Sequence, residues 1–201
     1  FKKQITPAEV VWTYSGVRPL LCLAKGEADS PSKLSRDYRL QLNAELGLLS
    51  VWGGKLTAHR QLAQQAVDKL CHHLGRKRPC KTATTPLPGG DMTSADISTR
   101  SRKLQTRCPF LGAATAARVV HAYGTRADKI FAGKETLKEL GEHFGSGLYQ
   151  VEVDYLIQNE WAQTADDILW RRSKLGLHIG LAGQAALQDY LNDYLRDDMK
   201  V

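Results

Sequence analysis

The chain has 201 residues, of which 42% are hydrophobic and 24% charged, so it can bury a core and has the composition of an ordinary soluble globular protein. We expect neither a membrane-spanning helix nor a secretory signal, since no apolar run is long enough and none follows the charged start. Residues 1–90 have 14 Lys and Arg against 6 Asp and Glu (+8), whereas residues 91–201 have 14 against 15 (−1). This positive charge favours anionic partners or serves only solubility.

The first 75 residues combine strand signals with one helix. Residues 10–14 (VVWTY), 37–42 (DYRLQL) and 48–52 (LLSVW) predict three strands, the last of them a short apolar run typical of a buried strand. Residues 56–74 repeat apolar side chains at three- and four-residue steps, which predicts a helix ended by Gly75.

A predicted linker and a run of helices follow. Residues 76–94 contain an Arg-Lys-Arg-Pro run, then Pro86, Pro88, Gly89 and Gly90, and no periodicity. Beyond them, the spacing predicts helices over residues 96–106, 113–123, 128–131 and 148–159, another that opens at Thr164, and a last one from about residue 183. Thr164 and Asp167 form a capping-box pattern at the start of the fifth helix.

The fold class predicted from these elements is α+β. We expect a small N-terminal sheet-plus-helix piece over residues 1–75, a linker over residues 76–94 and an all-α C-terminal domain over residues 95–201. Three strands and one helix give little material to cover a sheet and protect its edges. We therefore expect the sheet to be part of a larger one, and the chain to be a fragment of a longer protein.

The strongest candidate for a binding site is residues 52–57 (WGGKLT). Gly53 and Gly54 allow a ligand to approach the backbone closely, at a point where a strand meets the N-terminus of a helix. Lys55 adds a positive charge and Thr57 a hydroxyl group. A tight turn without function is an equally good interpretation of the pattern alone.

Two arginines next to predicted strands are candidate phosphate ligands. Arg18 follows the first strand and Arg36 precedes the second, and guanidinium groups bind phosphate in bidentate fashion. Solvated surface charges remain the commoner interpretation for either residue by itself.

A metal site is not expected. The cysteines Cys22, Cys71, Cys80 and Cys108 contain no C-x-x-C pair, and the neighbouring His72 and His73 point apart on a helix. We interpret the cysteines as reduced thiols.

Four motifs in register resemble the quinone-linked, FAD-dependent glycerol-3-phosphate dehydrogenases. They are residues 13–20 (TYSGVRPL), 35–38 (SRDY), 49–57 (LSVWGGKLT) and, near the end of the chain, 160–176 (EWAQTADDILWRRSKLG). The resemblance covers nearly the whole chain, but members of that family are considerably longer, and the chain has no G-x-G-x-x-G fingerprint for FAD. The chain thus resembles the end of the substrate and FAD domain followed by the C-terminal helical cap.

This resemblance implies a reaction and a set of site residues. Glycerol 3-phosphate would lose a hydride from C2 to FAD and become dihydroxyacetone phosphate, with the electrons passing to quinone. Arg18 and Lys55 would be catalytic residues beside the substrate and Arg36 would hold its phosphate. The cofactor-binding residues would be Gly53, Gly54, Lys55, Leu56 and Thr57, whose backbone N–H groups would face the flavin's pyrimidine edge.

The resemblance also implies partners and a location. Quinone reduction fits a cytoplasmic protein that lies peripherally on the inner face of the cytoplasmic membrane, and a second copy of the chain is a further candidate partner. The basic predicted helix over residues 56–74 could rest on that membrane, or its apolar face could pack on the flavin domain. His59 and Ala58 depart from the family's Lys-Leu-Thr-Thr-Tyr-Arg run, and we expect neither to change the reaction. The fragment by itself is expected to be inactive.

The alternative function is a basic helical module that docks on nucleic acid or on a protein partner. Nucleic-acid binding requires positive charge on the helical part, whereas residues 91–201 have a net charge of −1. The charge distribution therefore favours the dehydrogenase fragment and argues against a nucleic-acid partner.

Overall fold

The computed structural model of the protein describes residues 4–17 and 37–198 and divides the chain into two compact units, Phe1–Thr85 and Pro86–Val201. The first unit contains strands β1 (Tyr38–Asn43) and β2 (Leu48–Gly53), a 3-10 turn at Leu56–Ala58 and helix α1 (His59–His73). The second contains helices α2 (Asp96–Arg107), α3 (Ala113–Tyr123), α4 (Ala127–Ile130), α5 (Gln150–Glu160) and α6 (Leu181–Asp198), with strands β3 (His143–Gly145) and β4 (Leu148–Tyr149) before α5. The predicted α+β fold class is confirmed.

In the first unit, β1 and β2 form an antiparallel hairpin. Tyr38 lies opposite Gly53 and Asn43 opposite Leu48. The Asn43 side chain accepts hydrogen bonds of 3.1 Å from the N–H groups of Glu45 and Leu46, which closes the turn as an Asx motif does. The two strands predicted at residues 37–42 and 48–52 are thus confirmed.

The hairpin has no core of its own. No described residue of the first unit is buried, and in β2 the side chains of Val51 and Trp52 are 47% and 53% exposed. The prediction of a buried strand is therefore wrong for this unit taken by itself, because a two-stranded hairpin with one helix offers nothing to cover both of its faces.

The strand predicted at residues 10–14 is also wrong. This stretch follows a 3-10 turn at Pro7–Glu9 and has no regular structure. β-branched and aromatic residues favour a strand only where another strand supplies backbone partners, and β1 and β2 pair with each other. The Trp12 ring instead stacks on Tyr14 at a centroid distance of 5.6 Å.

The second unit contains the hydrophobic core. Its largest fully buried side chains come from the helices, the β3–β4 hairpin and the turns between them: Phe131, Phe144, Leu104, Leu111, Leu140, Leu148, Leu156, Ile168, Leu169, Leu187 and Leu191. These residues recur at helical spacing, and the predicted helices are found within a few residues of their expected bounds. The short β3–β4 hairpin, which the sequence analysis missed, precedes α5.

A buried ion pair joins α3, the β3–β4 turn and α5. Glu152 has no solvent exposure and accepts two hydrogen bonds from the Arg118 guanidinium, at 2.8 and 2.7 Å. Arg118 also donates to the Gly147 carbonyl at 2.9 Å, and the Tyr123 hydroxyl donates to Glu152 at 2.7 Å. Burial and the nearby carboxylate raise the pKa of Tyr123 far above its usual range, so this hydroxyl remains a donor.

Residues near the end of the predicted linker are hydrogen-bonded to the turn that follows α3. Gly89 and Gly124 both have positive φ, at +86° and +56°, and their backbones nearly touch. A Cβ on Gly124 would lie 1.9 Å from the Gly89 carbonyl oxygen, so only glycine fits this crossing. The N–H of Thr125 donates to that carbonyl at 3.1 Å, and the Thr125 hydroxyl donates to the carboxylate of Asp91.

The helix predicted to open at Thr164 has an unexpected form. The capping box is confirmed: the Asp167 carboxylate accepts from the N–H groups of Gln163 and Thr164, both at 3.1 Å. Partial burial raises the pKa of Asp167, but these N–H groups outweigh it and bring the pKa to about 2. The helix then continues as a π-helix over Asp167–Arg172, where the Arg172 side chain donates to the carbonyls of Glu160 and Asp167.

Two classes of feature are absent from the described part of the chain. None of its helices is long and apolar enough to cross a membrane. Its His, Cys, Asp and Glu side chains form no group of three that could hold a metal ion.

We predict that the buried ion pair stabilises the second unit far more than an exposed pair does. Arg118→Met leaves the buried Glu152 carboxylate unpaired and should lower the free energy of unfolding by about 3–5 kcal/mol. Arg196→Met is the matched control, since Arg196 and Asp193 form a pair that is 70% and 78% exposed and should contribute about 0–1 kcal/mol. Urea unfolding followed by circular dichroism at 222 nm measures both.

The double variant Arg118→Met/Glu152→Leu separates charge from packing. It removes both buried charges, so it should be more stable than Arg118→Met by itself. Equal unfolding midpoints for Arg118→Met and Arg196→Met would contradict the assigned role of the pair.

Candidate functional site

The loop predicted to bind a ligand lies at the open end of the hairpin. Because Tyr38 pairs with Gly53, the start of β1 lies beside the end of β2, where the loop Gly53–Thr57 begins. Tyr38, the last residue of the motif at 35–38, is therefore a neighbour in space of Gly53 in the motif at 49–57. Of the site residues predicted from the sequence, Arg18 and Arg36 lie outside the described residues.

Gly54 lets the loop pass closely between the sheet and α1. Its φ is +118°, and a Cβ there would lie 3.3 Å from Cδ1 of Leu62 on α1 and 3.7 Å from Cβ of Tyr38 on β1. The Tyr38 hydroxyl also donates to the Gln65 side chain on α1 at 2.9 Å. These contacts fix the position of the loop relative to both the strand and the helix.

The 3-10 turn after the glycines presents unbonded N–H groups. The N–H of Ala58 donates to the Lys55 carbonyl at 3.0 Å, whereas those of Leu56 and Thr57 make no backbone hydrogen bond to any described residue. The Leu56 side chain is 89% exposed, so nothing described covers this end of the helix. The first N–H groups of a helix are donors suited to an anion or an electron-rich oxygen.

His59 holds the turn in shape, which the sequence analysis did not foresee. A ring nitrogen of His59 lies 2.8 Å from the carbonyl oxygen of Leu56. This contact between side chain and backbone ties the first residue of α1 to the first residue of the 3-10 turn. Its position two residues after the predicted loop at 52–57 was visible in the sequence, but the direction of its ring was not.

Lys55 is held only loosely. Its Nζ lies 3.9 Å from Oδ1 of Asp37, and the two side chains are 48% and 85% exposed. Exposed pairs at this distance contribute about 0–1 kcal/mol, so the ammonium group can turn to an anionic ligand at little cost. Two N–H donors and one ammonium group thus lie within five successive residues, and this arrangement suits a ligand that carries negative charge or polarised oxygen atoms.

The chain is similar in sequence to dehydrogenases named for glycerol 3-phosphate and a related polyol phosphate. The family model described as the C-terminal domain of alpha-glycerophosphate oxidase matches residues 80–196. A glycerol-3-phosphate dehydrogenase of Pseudomonas aeruginosa is 44% identical over 95% of this chain and 37% of its own length. The aerobic glycerol-3-phosphate dehydrogenase of Escherichia coli is 38% identical over 100% of this chain and 40% of its own length.

A third relative is named for a different substrate. D-erythritol 1-phosphate dehydrogenase of Brucella abortus is 37% identical over 96% of this chain and 38% of its own length. The chain therefore spans about two fifths of the length of these curated relatives, and it matches their C-terminal part.

We predict that Gly54→Ala disturbs the loop. A side chain at φ +118° is strained and would press on Leu62, at a cost of about 1–3 kcal/mol. Amides of the β1–β2 hairpin should therefore exchange with deuterium faster, as measured by mass spectrometry of peptides covering residues 38–53. Gly16→Ala is the control, because no atom lies within 4 Å of a Cβ there; equal exchange in both variants would mean that Gly54 is not needed for the close approach.

Proposed function

The chain belongs to the family of the C-terminal domain of alpha-glycerophosphate oxidase, and we propose that it is the C-terminal part of an FAD-dependent glycerol-3-phosphate dehydrogenase. The observation that carries this proposal is the Gly53–Thr57 loop, which offers free N–H donors and an ammonium group at the start of α1. The loop lies within the stretch that is 44% identical to a curated enzyme of that name. The substrate we propose is glycerol 3-phosphate.

The loop fits the polar edge of a flavin. Leu56 and Thr57 would donate their N–H groups to it, and Gly53 and Gly54 would allow the ring system to approach the backbone. When bound, FAD supplies the acceptor for the hydride that leaves C2 of the substrate. The loop can form only one side of such a site, because the chain has no glycine fingerprint for the dinucleotide, and we propose that the chain by itself is inactive.

We assign substrate binding to three basic residues. Lys55 would donate from Nζ to substrate oxygen atoms beside the flavin, after giving up its weak contact with Asp37. Arg18 would take part in the same contact, and Arg36 would hold the phosphate through its planar guanidinium group. The basic side chains of this chain would hold the substrate in position, and the cofactor would carry out the redox chemistry.

The uncovered hairpin also supports this proposal. The first unit leaves Val51, Trp52 and Leu56 exposed, and an apolar surface of this kind usually marks a face that packs on other protein. The relatives are well over twice as long as this chain. We propose that the first unit completes a flavin domain formed with further residues of a longer protein.

An antibody to this chain provides the test. The protein it precipitates from source cells should be well over twice 22.3 kDa, should contain FAD, and should reduce a quinone analogue when supplied with glycerol 3-phosphate. D-erythritol 1-phosphate is the competing substrate, because one relative is named for it. A precipitated protein of 22.3 kDa without flavin would overturn the proposal, and faster turnover of D-erythritol 1-phosphate would change the assigned substrate.

Within that longer enzyme, Lys55→Met should lower kcat/KM by about tenfold or more, as expected for the loss of a charge-assisted hydrogen bond. The thermal midpoint should change little, since the Asp37 contact is weak. Lys69→Met, an exposed change on α1, is the control and should keep full activity. Equal kcat/KM in the two variants would remove Lys55 from the site.

We also propose that the enzyme passes its electrons to quinone and lies peripherally on the inner, cytoplasmic face of the membrane. We further propose that it associates with a second copy of itself. The support for the membrane contact is an exposed apolar pair, Val67 on α1 and Leu74 directly after it. The basic residues Arg76, Lys77 and Arg78 follow. The full-length enzyme should sediment with anionic vesicles at 0.15 M salt. Changing the three basic residues to Gln should weaken sedimentation several-fold, whereas an unchanged bound fraction would exclude this surface.

A further inference from the structure

A cavity in the second unit contains no residue of the Gly53–Thr57 loop. It has a volume of about 360 Å³ and is bounded by the stretch Leu87–Ser94, the start of α2, the end of α3, and Tyr155 and Glu160 of α5. This volume is in the range of small-molecule sites. Met92, Ile97 and Val120 form its apolar wall, and all three belong to or pack on the hydrophobic core.

Tyr155 lines this cavity, and its hydroxyl group has no partner among the described residues. The residue is only 8% exposed, and its ring packs edge-on against Tyr123 at a centroid distance of 5.6 Å. The hydroxyl makes no hydrogen bond to any described residue, yet it is not among the fully buried atoms that lack a partner. A buried ring with an unbonded but accessible hydroxyl is unusual, because buried tyrosines normally find a partner for that group.

Two residues of opposite charge, Glu160 and Arg126, line the same cavity as Tyr155. Burial raises the pKa of Tyr155, the carboxylate of Glu160 raises it further, and the guanidinium of Arg126 opposes the rise. The hydroxyl therefore stays protonated and can donate a hydrogen bond.

Glu160 and Arg126 are partly buried and unpaired. Neither forms an ion pair or a side-chain hydrogen bond with any other described residue, although Arg126 contributes from a distance to the lowered pKa of Asp91. Their backbones are fixed: Glu160 ends α5, where its carbonyl accepts from Arg172 at 2.9 and 2.7 Å, and Arg126 lies in the turn tied to Gly89. Both charged side chains thus line the cavity without a protein partner and are available to a ligand there.

We propose that this cavity binds a small zwitterion, with its ammonium group at Glu160, its oxyanion at Arg126 and the Tyr155 hydroxyl, and its carbon atoms against Met92, Ile97 and Val120. A simple anion would be repelled by Glu160 and a simple cation by Arg126, so only a ligand with both charges makes a favourable contact with each residue. The proposal does not depend on the dehydrogenase reaction, because every residue in it belongs to the second unit and none belongs to the loop at Gly53–Thr57.

Titration calorimetry of the 201-residue chain tests the proposal directly. The zwitterionic probes are phosphoethanolamine and leucine, which differ in the separation of their charges. The probes that carry charge of one sign only are ethanolamine, a cation, and inorganic phosphate, an anion. At least one zwitterion should bind about tenfold more tightly than either of these two probes, since it makes both charge-assisted contacts. If both zwitterions bind no better than ethanolamine and phosphate, the proposal is wrong.

Matched variants locate the binding. Glu160→Gln and Arg126→Gln should each weaken the zwitterion by about tenfold, and Tyr155→Phe should weaken it by less while keeping the ring packed on Tyr123. The controls are Glu142→Gln and Arg102→Gln, exposed residues outside the cavity, which should bind like the unchanged chain. Binding that survives in both Glu160→Gln and Arg126→Gln would place the zwitterion elsewhere and overturn the assignment.

Discussion

The buried pair of Arg118 and Glu152 is the contact on which the second unit depends. A carboxylate with no solvent exposure is tolerable only if its charge is met and its oxygen atoms are bonded, and here one guanidinium and one phenol supply all three short contacts. Because these donors come from α3 and the acceptor from α5, the two helices can approach in only one register. Arg118 also donates a hydrogen bond to the Gly147 carbonyl, which holds the β3–β4 turn against the same ion pair. The Tyr123 ring in turn packs edge-on against the ring of Tyr155.

The two units differ in what stabilises them. The second buries a full set of aliphatic and aromatic side chains, whereas the described part of the first is held by a hairpin ladder, the Tyr38–Gln65 bond and an exposed helix. The candidate flavin loop belongs to the weaker unit. A binding loop needs exposed donors and room to approach a ligand, and the same features leave it with little packing of its own. In the proposed enzyme, the longer protein supplies that packing.

Local patterns were enough to predict much of this fold. Residues 113–123 form the predicted helix without an error at either end, and the Thr164–Asp167 capping box could be identified by spacing alone. Contacts between distant segments could not be predicted. Arg118 and Glu152 lie 34 positions apart on two helices. Residues 10–14 are β-branched and aromatic, as a strand would be, yet they pair with no strand among the described residues. The Gly-Gly pattern located the glycine loop and the resemblance implied its role, whereas no sequence pattern distinguished Tyr155, Glu160 and Arg126, which line one cavity.

The crossing of Gly89 and Gly124 has a consequence for evolution. A side chain on Gly124 would collide with the Gly89 carbonyl, and a side chain on Gly89 would collide with the Tyr123 carbonyl just before Gly124. A single substitution at either position therefore cannot be absorbed, and a second substitution at the other position cannot compensate for it. Both positions must therefore remain glycine in any descendant that keeps this crossing, although they lie far apart in the chain. A homologue with any other residue at either position must have rerouted the segment before α2, and with it the wall of the cavity that this segment forms.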